Sequence, residues 1–277
     1  MTHRNIGIFL LINPAKKGKV ADLLVSNANA LGIDIRTNCG VSSISLPTTS
    51  TSISPDDDDS FTIQTSDNQI IKSKSVVIAT DGKTAQNIVS SFPGFESMKD
   101  AKKQAQRSVG CIYYGFNTPV PVKDPILILN GAERKPVTQY PVNNVCFPST
   151  VNAGYAPDGC HLCSVTILEP ALNAFEGRDE ELDEAVREQL KSWFPDYATD
   201  IETRWENKGI YRIKNAQPGQ FKGPVPANVN GGRDCTVYRG QNLPKGLFLC
   251  GDHMSTATLN GALESGVKAG KEVAKFL

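Results

Sequence analysis

The dipeptide Gly251-Asp252 closes the apolar run Leu247 to Cys250, and a helical pattern begins shortly after it at Leu259. A helix leaves its first N–H groups without intrahelical partners and carries the positive end of its dipole there, so such a junction attracts an anion. At the carboxyl end of a parallel strand, the natural occupant is a polar or phosphorylated cofactor. The Asp252 carboxylate can accept hydrogen bonds from sugar hydroxyls, and Gly251 lets the chain approach closely. Small residues at Gly261, Ala262, Gly266 and Gly270 let the helix lie tightly against sheet and ligand. A purely structural C-terminus would use the same residues, and their spacing alone does not separate the two readings.

Other reactive residue types carry less. Cys160-His161-Leu162-Cys163 has the look of a redox or zinc element, but it lies inside a strand pattern and no second cysteine pair follows at ligand spacing. Cys250 reads as a small core hydrophobe rather than a reactive thiol. His253 reads as a residue that bonds its own loop, with proton shuttling as the sharper alternative. Asp56 to Asp59 lie in a Ser/Thr/Pro-rich tract and read as a solvated loop insertion. Adjacent aspartates cannot follow the alternating spacing of a calcium loop, and no metal site is expected.

Several elements must position these groups. Val20, Leu23, Leu24, Ala28 and Leu31 recur at helical spacing, with Gly32 where a C-terminal cap would fall. Ile33 to Arg36 alternates as a half-buried strand. Val41 to Leu46, Phe61 to Thr65 and Ile70-Ile71, with a turn at Ser66-Asp67-Asn68, form a β-meander. Ser75 to Thr80 is a continuous apolar run, expected as a strand covered on both faces, and a helix is expected over Thr84 to Phe92. Strands at Gly110 to Phe116, Ile126 to Leu129 and Leu162 to Leu168 suggest a mostly antiparallel sheet. The face formed by Leu182, Val186, Gln189, Leu190 and Trp193 marks a helix that needs a sheet to cover, and its acidic first turn suits the helix dipole. Gly246 to Cys250 reads as a buried strand, followed by a helix with Leu259, Ala262, Leu263, Val267, Val273 and Ala274 inward.

Composition bounds the class. The 277 residues carry 29 Lys and Arg against 29 Asp and Glu, so no net field favours nucleic acid. Seven cysteines, an odd number in a chain too large to need staples, point to reduced thiols in an intracellular setting, cytoplasm or an organelle such as a plastid, and not to secretion. The apolar run Ile6 to Ile12 falls far below the roughly 20 residues that span a bilayer, and no small-residue cleavage site follows it. It reads as a short buried strand, or as a start foreign to the fold. No transmembrane segment is expected; peripheral membrane contact is compatible with the sequence.

The wording of two segments goes further. Phe248 to Gly266, with Gly251-Asp252 at its head, closely resembles the C-terminal FAD motif of the flavin amine oxidase and phytoene desaturase superfamily. Val76-Val-Ile-Ala-Thr80 followed by Asp81-Gly82 is similar to the Ala-Thr-Gly strand end after the meander in that family, with Asp81 in place of the usual glycine. Asn38-Cys39-Gly40-Val41 lies where the family places a valine whose backbone meets adenine, and Tyr211 to Pro218 resembles its substrate-side wall. The resemblance runs from about Ala21 onward and is most specific at the C-terminus.

The resemblance implies an α/β fold: a Rossmann-like FAD-binding sheet, incomplete at its N-terminus, with a β-meander, plus an α+β substrate domain of mostly antiparallel sheet. The implied segments are 19–108 and 230–277 for FAD and 109–229 for substrate. It implies FAD bound by Val41, Ala79, Thr80, Gly251, Asp252, Thr258, Asn260, Gly261 and Ala262, with Tyr211 as a substrate-side aromatic that core packing would equally explain. No general base is identified, because in this family flavin itself accepts hydride from a C–N or C–C bond of an apolar or amine small molecule. No G-x-G-x-x-G occurs anywhere in the sequence, so the expectation is a truncated form that holds flavin weakly or not at all, with a partner supplying the missing half as the other reading. A non-catalytic remnant acting as a binding module is the alternative function.

Overall fold

The computed structural model describes residues 19–47, 60–99, 106–131, 136–219, 234–238 and 240–277. The Ile6 to Ile12 run and the Asp56 to Asp59 tract lie outside them. In chain order, helix α1 (Lys19–Ala30) precedes strands β1 (Val41–Ser45), β2 (Phe61–Thr65), β3 (Ile70–Ser73) and β4 (Val76–Ile78), then helix α2 (Gly82–Val89). Next come β5 (Gln106–Phe116), β6 (Ile128–Leu129), β7 (Val142–Cys146), α3 (Pro148–Val151), β8 (His161–Leu168), α4 (Glu169–Ala174), α5 (Asp179–Trp193), α6 (Ala198–Thr203) and β9 (Glu206–Pro218). The chain ends with β10 (Val237–Tyr238), β11 (Gln241–Asn242), β12 (Leu247–Leu249) and α7 (Leu259–Phe276). The architecture is mixed α/β, in two compact units: one from the described residues before 106 and from 218 on, the other Gln106–Gln217.

In the first unit, β1, β2 and β3 form the expected antiparallel meander, with Asn68 in the left-handed region (φ 62°) at the β2–β3 turn. β4 pairs in parallel with β12, Val76 beside Leu247 and Ile78 beside Leu249. Phe61, Ile78, Val89, Phe92, Leu247, Leu249 and Met254 join in one buried cluster, which ties the meander to the parallel pair and α2. Cys235, Phe248, Cys250 and Ala269 form a smaller one, through which α7 packs on the strand.

Three expectations are corrected here. Ile33 to Arg36 is not a strand, because no neighbouring segment among the described residues pairs with it. Among the described residues β4 is not covered on both faces, since Val77 is 39% exposed while Ile78 on the other face is buried. On α7 the buried set is Gly261, Ser265 and Ala269, one face at successive intervals of four; of the residues expected inward, Val273 packs half-buried on the Cys235–Phe248 cluster and Ala262 is half-buried, whereas Leu259, Leu263, Val267 and Ala274 are exposed. The helix sits on its small side, against Thr256 at Gly261, the Gly251 peptide at Ser265 and the Phe248–Cys250 cluster at Ala269. Gly266 and Gly270 take no part in that approach, since a Cβ at either would meet nothing within 4 Å.

The second unit is a five-stranded sheet in the order β6-β7-β8-β5-β9. Its β6–β7, β7–β8 and β5–β8 pairs are antiparallel. Ile112, Tyr114, Cys163, Val165 and Ile167 face a core completed by Leu172 of α4, Leu182, Val186 and Leu190 of α5, and Ile201 of α6. Strands β7 and β9 escape the sequence pattern. The paired asparagines of β7 and the mostly exposed, Lys- and Asn-rich β9 at the sheet's edge give no clean alternation. The strand expected over Ile126 to Leu129 shrinks to its last two residues. Arg212 of β9 donates to the Leu172 and Phe175 carbonyls at the C-terminus of α4 and to Asp179 at the start of α5, so one guanidinium satisfies orphan carbonyls and joins two helices. No described helix is long and apolar enough to cross a membrane.

Candidate cofactor-binding site

The parallel register carries the ends of β4 and β12 to the same place. Cys250 donates its backbone N–H to Ile78 O (3.0 Å), and one residue further along Thr80 meets Gly251: a Cβ on Gly251 would lie 3.2 Å from Thr80 O. Gly251 has φ 141°, a backbone open to glycine, and the same Cβ would strike the His253 ring at 2.7 Å. Asp252 to Met254 then form one 3-10 turn that brings the chain round to α7. His253 is 3% exposed, with Nδ1 4.0 Å from Asp252 Oδ1, whose side chain keeps 29% of its surface in solvent. The histidine is buried in the loop, and the Asp252 carboxylate keeps part of its surface open to solvent.

Helix α7 opens with a side-chain cap, since Thr258 Oγ1 accepts from Gly261 N–H (3.0 Å) while Thr256 and Thr258 hydroxyls share a hydrogen bond. Leu259 and Asn260 occupy the exposed first turn, whose N–H groups need outside partners. One residue absent from the sequence reading joins strand to helix. Ser265 Oγ accepts from Gly251 N–H (2.9 Å) and sits 2.9 Å from Gly251 O and 2.8 Å from Ala262 O. Its only signal in the sequence is its place in the stripe of small residues.

Thr80, Gly251, Asp252, Thr258, Asn260, Gly261 and Ala262 are thus gathered where two strand ends and one helix start converge, with Ala79 exposed beside Cys250. Val41 is not among them. It lies in the meander, paired with Thr65 and 37% exposed. Tyr211 belongs to the second unit, 41% exposed and packed edge-to-face on Tyr113 (5.7 Å). The Tyr113 hydroxyl is pushed up to about 12, first by its hydrogen bond with Cys111 and then by burial, so it stays protonated at neutral pH. Burial and then the neighbouring Cys235 push the Cys250 thiol up to about 11, which removes it as a thiolate nucleophile at neutral pH. Cys163 is likewise raised by burial. Among the described residues no group of three His, Cys, Asp or Glu side chains is placed to hold a metal.

The family of the flavin containing amine oxidoreductases matches residues 13–274, almost the whole chain. The chain belongs to this family. No curated protein matches it. Among solved structures, an oxidoreductase from Methanosarcina mazei superposes with a TM-score of 0.60 at 17% identity, over 91% of this chain and 53% of that one. Putrescine oxidase bound to putrescine superposes with a TM-score of 0.57 at 14% identity, over 91% of this chain and 52% of that one. At such identities the likeness is one of fold. This chain spans about half the length of the solved structures it matches.

Within this amine oxidoreductase fold, Asp81 stands where the resemblance expects glycine. Its backbone (φ −60°, ψ 159°) is extended and open to any residue, so the substitution costs nothing in strain. The side chain caps α2 instead, accepting from Lys83 N–H, Thr84 N–H and the Thr84 hydroxyl. Burial pushes its carboxyl up, but these hydrogen bonds and the nearby His253 outweigh it and hold the group below its ordinary value. A depressed folded-state value means that the cap contributes at neutral pH and is lost as the pH falls through that lowered value. Asp81→Ala is expected to cost about 1 kcal/mol at pH 7 in a denaturant titration, with the difference from wild type shrinking at acid pH. A gap of the same size at both pH values would overturn this.

Proposed function

We propose that this protein is part of an FAD-dependent oxidoreductase that takes hydride from a C–N or C–C bond of an apolar or amine substrate. The observation that carries the reading is the convergence of Thr80, Gly251, Asp252 and the start of α7 on one spot. The residues fit such a cofactor on two counts. The Cβ space at Gly251 is taken up by Thr80 O and the His253 ring, so glycine (φ 141°) is what lets the chain turn sharply enough to set Asp252 at the ends of both strands. The donor and acceptor set, a half-buried Asp carboxylate on the turn that leads into the N–H groups of an exposed helix start, suits a molecule that carries both hydroxyls and phosphate. FAD, when bound, would supply the hydride acceptor. The chain's own part is to orient: Asp252 accepts from polyol hydroxyls, and the first turn of α7 faces the negative charge. Tyr211 and Tyr113 offer an aromatic, uncharged surface suited to an apolar substrate. Val41 is assigned to the adenine end by resemblance alone. The three segments 19–108, 109–229 and 230–277 divide the work accordingly, the first and last for cofactor, the middle for substrate.

The test is a thermal melt of the purified chain against rising FAD. A ligand that binds only the folded state raises the midpoint in proportion to the logarithm of its concentration. Wild type should show that rise only at the high FAD concentrations of weak binding, and Asp252→Ala should need a still higher concentration for the same shift. A folded chain whose midpoint ignores FAD at every concentration would discard the cofactor reading and favour a non-catalytic binding module.

A further inference from the structure

Ser265 is 6% exposed, and its hydroxyl makes an arrangement that helix propensity does not call for. A helical serine commonly donates to a carbonyl in the preceding turn, as Ser265 can to Ala262 O (2.8 Å). Here the same oxygen also accepts the N–H of Gly251 (2.9 Å), a residue outside the helix, and lies 2.9 Å from the Gly251 carbonyl. With one proton and two lone pairs, the hydroxyl can accept from Gly251 while its proton is shared between the two carbonyls. The Gly251 carbonyl also accepts from Met254 N–H (3.0 Å), so it has a partner without the serine. The Gly251 N–H has Ser265 as its partner, and it is the last backbone donor before Asp252. Nothing else in the α7 face offers a polar grip, because Gly261 and Ala269, its neighbours along that face, carry no hydrogen-bonding side chain.

We propose that Ser265 is a positioning residue for the cofactor: by clamping the Gly251 peptide to α7 it fixes where Asp252 stands relative to the helix start. This rests on the FAD reading above for the identity of what is positioned, but the clamp itself does not. Two measurements on the whole chain separate them. In hydrogen exchange, Ser265→Ala should speed exchange of the Gly251 amide by about tenfold or more, the loss of one buried hydrogen bond, with amides of α5 unchanged. In FAD titration followed by melting, Ser265→Ala should weaken binding by about tenfold. Val273→Ala, on the same helix and packed in the Cys235–Phe248 cluster without touching Gly251, supplies the control: it lowers the melting midpoint but should leave FAD affinity within about twofold. Equal loss of FAD affinity in the two variants would reduce Ser265 to a stability residue and overturn the proposal, as would an unchanged Gly251 exchange rate. A wild type that ignores FAD would remove the cofactor reading while the exchange result still judged the clamp.

Discussion

Gly261→Ala is expected to destabilise the first unit by about 2 kcal/mol and to abolish FAD-induced stabilisation, although alanine is the better helix former. Two effects oppose each other. Gly261 is inside α7 and has an ordinary helical backbone, so replacing it with alanine should gain about 1 kcal/mol in propensity. The new methyl, however, would sit 2.1 Å from Thr256 O, 2.5 Å from Thr256 Oγ1 and 2.8 Å from Thr256 N. Two of those atoms are backbone and cannot rotate away. Overpacking of that kind costs about 3 kcal/mol, and the relief available is to push the Thr256–Thr258 segment outward, which breaks the Thr258 cap on Gly261 N–H (3.0 Å). Gly266→Ala and Gly270→Ala provide the internal comparison, because neither methyl would meet anything within 4 Å. Each should raise stability by up to about 1 kcal/mol. Denaturant midpoints for the three variants check the claim, and a Gly261→Ala protein as stable as Gly266→Ala would refute it.

Arg187→Ala should cost about 3 kcal/mol in the second unit. Its Nε donates to Asp183 Oδ2 (2.8 Å) and its Nη2 to Trp205 O (2.9 Å), while Nη1 reaches Ile201 O and the guanidinium lies 4.9 Å from the Tyr114 ring centre. Asp183 in turn accepts from the Tyr114 hydroxyl (2.6 Å) and Asn207 (2.8 Å). Burial first, and then Asp183, push the Tyr114 hydroxyl far above its ordinary value, so it remains the donor in that bond. One cation therefore links α5, the end of α6 and the start of β9. Removing it leaves the Asp183 carboxylate with its Tyr114 and Asn207 hydrogen bonds but without its cation, and takes a donor from two carbonyls. Breaking a fully buried pair costs about 3–5 kcal/mol, and the side chains here are 15% and 21% exposed, which favours the lower end. Arg187→Lys should recover only part of the loss, because an ammonium cannot span the same fork of acceptors. The chain's two tryptophans, Trp193 and Trp205, both lie in this unit, so their fluorescence reports its unfolding directly. An Arg187→Ala midpoint within about 1 kcal/mol of wild type would show the network to be dispensable.

The sequence by itself settled the elements whose signal is local. Continuous apolar runs gave β4 and β12, alternation gave β2 and β8, and the face from Leu182 to Trp193 gave α5, because each pattern is written within one turn or one pleat. The Gly251-Asp252 junction was legible for the same reason: strand end, turn and helix start are consecutive. Three things waited for the tertiary structure. Whether β4 is covered depends on which segments lie beside it, and Val77 has the same apolar character exposed or buried. Which face of α7 points inward was misjudged because hydrophobicity favoured Leu259, Leu263 and Val267, whereas close approach to the strand favoured the smallest side chains. And the bond from Ser265 to Gly251 joins residues on different elements, so no period in the sequence encodes it; only the docking of helix on strand brings that hydroxyl to that amide.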